Sequence, residues 1–255
     1  MNRITTFTLL LLSFFIFTGC HTTDSLDPSD DTIFQYSVLS SLLQGVYDGD
    51  MNFGELSDHG DTGLGTLQHL DGEMIALDGV FYQINSDGDA LVIPDSEMTP
   101  FAVVTEFSPD ITISTQEVLE LGELYTYIDE RIPSENLPYC IRISGTFSYV
   151  KTRSVPEQQR PYPVLLEVLK EQPIFEFEQI TGDIIGFRLP DYMGEANAAG
   201  YHFHFITEDR SAGGHLLACT TDDIMIQIDI SDQWYVSIPE DEDFLEFKAN
   251  DDQYR

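Results

Sequence analysis

Three Asp-Gly pairs, Asp71-Gly72, Asp78-Gly79 and Asp87-Gly88, punctuate the short apolar runs EMIAL, VFYQI and ALVI. No other stretch constrains the fold as strongly. Asp-Gly between such runs suits a type I′ hairpin turn, because both central residues need positive φ. The pattern predicts a β-meander over 72–93, and FAVVTEF adds a strand at 101–107.

Elsewhere the signals are mixed. Leu39, Leu42, Leu43 and Val46 repeat at three- and four-residue steps, which predicts a helix over 32–47 capped by Asp31 or Thr32. Ser114-Thr115-Gln116-Glu117 reads as a capping box opening a helix to about Ile128. Strands are expected at 139–151, 174–178, 182–189, 200–206, 214–219 and 224–230, with a short helix at 161–171. The fold class is α+β and strand-rich. IPSENLP, at 132–138, carries two prolines and marks a weak boundary. It separates an N-terminal α/β domain (32–135) from a C-terminal β-rich, metal-binding domain (136–255).

Residues 1–19 read as a secretory signal peptide, with Arg3 as the positive end and an apolar stretch after it. Cys20 follows Thr18-Gly19, an arrangement that resembles the lipobox of bacterial lipoproteins and implies cleavage before Cys20 and its acylation. Residues 20–31 read as a flexible tether. The expected location is the cell envelope, with membrane contact only through the lipid. Two cysteines remain, Cys140 and Cys219, as a pair or as buried thiols. The chain carries 45 acidic against 11 basic residues, a net charge of −34, which argues against nucleic acid as a partner. With 42% hydrophobic residues there is still enough apolar material for a packed core.

Chemistry concentrates in Gly200-Tyr201-His202-Phe203-His204-Phe205, followed by Gly213-Gly214-His215. Residues i and i+2 of a strand share a face, so His202 and His204 project together. A hairpin through 208–214 returns the chain and brings His215 across from His204 or diagonal to it. Strands lie roughly 4.8 Å apart, so three imidazoles can converge on one point. That describes a catalytic zinc site with an open fourth position, although nickel, copper or iron could take the same ligands. Arg142, Lys151, Arg153 and Arg160 form a basic cluster in this acidic chain. It is suited either to an anion or to salt bridges, and salt bridges are preferred for all but Arg153. Taken alone, Glu73 reads as a solvated edge residue, His59 and His69 as structural, and Asn85–Asp89 as a turn.

As a set, FQYSVLSSLLQGVYDGD (34–50), GDTGLGTLQHLDGEMIALDGVFYQ (60–83), TPFAVVTEF (99–107), ISGTFSYVKTRSVPEQQRPYPVL (143–165), QPIFEF (172–177), GDIIGFRLPDY (182–192) and GYHFHFITEDRSAGGH (200–215) resemble the α-acetolactate decarboxylases. The resemblance implies a two-domain fold of mixed and antiparallel sheet, commonly dimeric, that converts 2-acetolactate to acetoin. It implies that His202, His204 and His215 hold zinc (Zn2+). Glu73 and Arg153 would be catalytic, and Thr66 and Arg153 would bind the small anionic 2-hydroxy-3-oxo acid. The family's further glutamate, in its C-terminal tail, has no match here. The tail is expected to fold back on Phe244 and Phe247 and to offer Asp251 or Asp252 instead. Two other readings use the same residues: a non-catalytic metal- or anion-binding lipoprotein, and a metal-dependent lyase for another 2-hydroxy-3-oxo acid.

Overall fold

A computed structural model describes residues 31–194 and 196–248. The expected signal peptide, the tether from residue 20 to 30 with Cys20, and the tail carboxylates Asp251 and Asp252 lie outside the described residues. Fourteen strands are present among the described residues: β1 (Thr32–Tyr36), β2 (Met51–Asn52), β3 (Thr62–Thr66), β4 (Glu73–Leu77), β5 (Val80–Ile84), β6 (Ala90–Val92), β7 (Met98–Thr99), β8 (Ala102–Thr105), β9 (Ile111–Thr115), β10 (Tyr139–Arg153), β11 (Ile174–Leu189), β12 (Gly200–Thr207), β13 (Gly213–Ile230) and β14 (Gln233–Ser237). The helices are short: α1 (Leu39–Leu43), α2 (Phe53–Ser57), α3 (Leu121–Asp129), α4 (Leu165–Val168) and α5 (Glu242–Glu246).

Seven strands form the first sheet in the order β14-β1-β8-β3-β4-β5-β6. The second has the order β10-β11-β12-β13-β9, and β10 also pairs with β13, so four long strands close on themselves. Pairing is antiparallel except between β1 and β14, which makes the fold mixed as well as strand-rich. Two strands cross the division near 133–138. β14 joins the first sheet and β9 joins the second.

Side-chain alternation assigns each face. On β12, Phe203 and Phe205 enter the core of the second sheet with Phe147, Ile184 and α3 residues Leu124 and Ile128. Ile206, on the opposite face, packs with Ile185 against Ile75, Leu77 and Ile84 of the first sheet. On β4, Met74 and Ala76 turn the other way, toward Phe53 and Leu56 of α2. The faces that carry Glu73 on β4 and the histidines on β12 therefore meet between the sheets.

The meander over 72–93 forms as expected. Of the three Asp-Gly pairs, only Asp78-Gly79 has both residues at positive φ, 51° and 76°. The expected helix over 32–47 does not form. Its first residues, TIFQY, are the strand β1, paired on one side with β8 and on the other with β14. Aromatic and β-branched residues favour that pairing, and only Leu39–Leu43 winds into a helix, which Gly45 ends at φ +93°. The expected capping box at Ser114 is also displaced. Ser114 and Thr115 pair with β13, and the box forms at Glu120 and Glu123 ahead of α3. The separate strands expected at 174–178 and 182–189, and at 214–219 and 224–230, are continuous as β11 and β13. Among the described residues no helix is long and apolar enough to cross a membrane.

Candidate active site and metal centre

His202 and His204 share a face of β12, and His215 is the cross-strand partner of His204 on β13. Their ring centroids lie 5.0–5.2 Å apart. Two glycines permit this. A Cβ on Gly213 would meet the Phe205 carbonyl at 2.2 Å, and one on Gly214 would meet the Arg153 carbonyl at 2.4 Å. Gly214 also sits at φ +137°, a conformation that other residues rarely adopt. The Thr152 hydroxyl donates to the Gly213 carbonyl at 2.9 Å and fixes the approach. Arg153, the next residue, is paired with His215.

A metal ion fits this donor set. The ligand atoms of the three histidines lie within 4.8 Å of one another. His204 Nδ1 donates to the Met74 carbonyl at 2.8 Å, so its Nε2 carries the free lone pair. Among the described residues that buried Nε2 has no hydrogen-bond partner, and neither has His202 Nδ1. Burial pushes His202 down to about 4, with Arg153 adding to the effect. Burial holds His204 and His215 well below the usual imidazole range, and Arg153 and the crowding of the other imidazoles add to the effect. All three rings are therefore neutral near pH 7, the state that ligates.

The first sheet supplies the acid. Glu73 is buried, with Oε1 3.4 Å from Arg153 Nη1 and Oε2 3.5 Å from His204 Nε2. Burial raises its carboxyl above the usual range and the Arg153 guanidinium opposes that rise. Thr66 is the cross-strand partner of Glu73, and its hydroxyl donates to the Gly72 carbonyl at 2.7 Å. The hydroxyl proton is thus committed, and only the oxygen is left to accept from a ligand. All six residues line one cavity of about 260 Å³. Its roof is apolar and comes from Leu39, Leu42, Leu70, Phe101, Leu165 and Leu169.

Reading the residues in isolation undervalued Glu73, because nothing local shows that the second sheet packs over β4. It also left the leucine roof unassigned. Leu165 and Leu169 carry no signal beyond being apolar. The other cations pair with acids as expected. Arg142 binds Asp78 and Asp183, Lys151 lies 3.3 Å from Glu176, and Arg160 binds Asp48 and Asp243. His59 stacks on Phe34, and the Asn85 side chain accepts from Asp87 and Asp89 within a turn. Cys140 and Cys219 are buried free thiols in different core clusters.

A model of the alpha-acetolactate decarboxylase family matches residues 33–250. The chain is 43% identical over 221 residues to an alpha-acetolactate decarboxylase from Methylococcus capsulatus, a match that covers 87% of this chain and 85% of the relative. To one from Methanosarcina mazei it is 44% identical, over 87% of this chain and 77% of the relative. The crystal structure of alpha-acetolactate decarboxylase from Bacillus subtilis superposes with a TM-score of 0.85 at 39% identity, covering 87% of this chain and 95% of that one.

Proposed function

Because the chain belongs to the alpha-acetolactate decarboxylase family, we propose that its inter-sheet cavity removes CO2 from 2-acetolactate and releases acetoin, with zinc held by His202, His204 and His215. One observation carries the reading: three neutral imidazoles, a buried carboxyl and a half-buried guanidinium converge on a single apolar cavity. Zinc there would supply a Lewis acid for the oxygen that gains negative charge as CO2 leaves.

The remaining work falls to side chains. Arg153 offers a planar pair of donors to the substrate carboxylate and orients it. The apolar roof keeps water from that carboxylate, which loses its charge on leaving as CO2. When the C–C bond breaks, its electron pair passes to the neighbouring ketone oxygen. Glu73, whose burial favours the protonated form, gives its proton to the carbinol carbon from one face and takes another from solvent. Thr66 accepts from the substrate hydroxyl through its remaining lone pairs. The test is acetoin formation from racemic 2-acetolactate, stopped by a chelator and restored by zinc. Zinc-loaded protein that forms no acetoin would overturn the proposal.

The proposal extends to location and assembly. Export and acylation at Cys20 would place the enzyme in the cell envelope, bound to the membrane only by lipid, and mass spectrometry of the membrane fraction tests this. A homodimer, the state common in the family, is tested by light scattering.

A further inference from the structure

Two connections that no strand pairing ties together among the described residues adjoin Thr66, Glu73 and Arg153. One is Leu67–Gly72, which joins Thr66 at the end of β3 to Glu73 at the start of β4. The other is Ser154–Pro173, which leaves β10 at Arg153 and carries Val155, Leu165 and Leu169 to the cavity. Its base is closed by Ser154 N donating to the Pro173 carbonyl at 3.2 Å.

The first connection is in a conformation that needs support. His69 and Leu70 are consecutive non-glycine residues at φ 62° and 58°, in the left-handed region. Backbone bonds hold His69 on both sides. Its N–H donates to the Tyr47 carbonyl at 2.7 Å, and its carbonyl accepts from Gln158 N at 2.8 Å. The second of these bonds joins the two connections.

Asp48 lies outside both and binds both. From the first connection, Gln68 Nε2 donates to Asp48 Oδ1 at 3.1 Å and His69 Nε2 lies 3.3 Å from the same oxygen. From the second, Tyr162 donates its hydroxyl to Oδ1 at 2.9 Å and Arg160 pairs with Oδ2. Arg160 continues the network to Asp243 of α5, and Glu157 lies 3.3 Å from His69 Nδ1. Asp48 is mostly buried, and charge-assisted bonds in such a place hold geometry well.

We propose that Asp48 is a positioning residue of this active site: one carboxylate outside the cavity fixes Thr66 and Glu73 relative to Arg153 and the leucine roof. Asn at this position keeps an acceptor for Gln68 or Tyr162 but sets an amide N–H against the Arg160 guanidinium. Ala removes every side-chain tie to position 48 and leaves only the Gln158–His69 backbone bond between the two connections.

The kinetic arm of the test rests on the decarboxylase reading, and amide exchange does not. Asp48→Ala and Asp48→Asn are compared with Asp183→Asn. Asp183 is a buried carboxylate of similar connectivity, bound to Arg142, Arg210 and Ser144 and not lining the cavity. In Asp48→Ala the amides of His69 and Gln158 should exchange together about tenfold faster, while that of His204 is unchanged. Zinc content should be retained, kcat should fall and KM rise by about tenfold each, and Asp48→Asn should lie between. Asp183→Asn should lower the melting temperature without altering KM or those two amides. The proposal is overturned if Asp48→Ala keeps wild-type kcat and KM, or if only one connection loosens. Should the zinc-loaded wild type form no acetoin, the functional reading fails, and joint loosening of the two connections still decides the role of Asp48.

Discussion

Asp229→Asn should stabilise the protein, and by more as pH rises. Asp229 lies on β13 with no solvent exposure, and only its Oδ2 is satisfied, by Ser108 N at 3.2 Å. Oδ1 has no partner. Burial pushes the carboxyl up to about 7, with Asp110, Asp31 and Asp61 adding repulsion. A raised carboxyl pKa means that the folded state holds a proton the unfolded chain has released. Stability from this group is therefore complete below the unfolded pKa near 3.8, declines as pH rises, and levels off above 7. Each unit is worth roughly 1.4 kcal/mol, so the wild type should lose about 2–3 kcal/mol from this residue between pH 5 and pH 8. Asn carries no charge at either pH and keeps the acceptor for Ser108. Denaturant unfolding of both proteins at both pH values gives a double difference, in which the other titrating groups cancel. The variant's advantage should be about 2–3 kcal/mol larger at pH 8 than at pH 5. An advantage that is equal at the two pH values, or larger at pH 5, would refute the reasoning.

Gly214→Ala should cost about 2–4 kcal/mol of stability and lower zinc content, because it combines a disfavoured φ with a 2.4 Å approach to the Arg153 carbonyl. Wild-type unfolding and metal content would contradict that account. His204→Ala should abolish the expected stoichiometry of about one zinc per chain, read by elemental analysis; an unchanged stoichiometry counts against the three-histidine centre. Arg153→Lys and Glu73→Gln should each retain zinc and lower turnover, the latter by about 10²–10⁴. Near-wild-type rates in both would remove them from the chemistry. Phe205→Ala, on the buried side of the histidine strand, should cost about 3–5 kcal/mol, measured by denaturant unfolding, and a loss below 1 kcal/mol would mean the site collapses without a cavity.

What could be read from the chain, and what could not, divides along physical lines. A period of two is a local property, so the common face of His202 and His204, and the burial of Phe203 and Phe205 behind them, were legible. So was the return to His215, because 208–214 reads as a hairpin loop; the close approach that Gly213 and Gly214 permit there shows only in the structure. Strand β1 was not legible. Its register is set by Val104 on one side and by Trp234 and Tyr235 on the other, and these partners are remote in sequence. The leucine spacing that follows is real but lasts a single turn. Glu73 shows the same limit at the site. Alternation on β4 says that Glu73, Ile75 and Leu77 share a face, but it cannot say what covers that face. Ile185 and Ile206 of the second sheet cover Ile75 and Leu77, and His204 and Arg153 lie against the Glu73 carboxyl. The chemistry of this chain thus arises where two separately patterned faces meet. Periodicity reveals each face, whereas the pairing of faces depends on long-range packing. The resemblance to a family supplied that pairing for Glu73, Arg153 and the histidines. It said nothing of Asp48 or His69, whose contacts lie one layer behind the cavity and depend on a left-handed turn with no glycine at His69 or Leu70 to announce it.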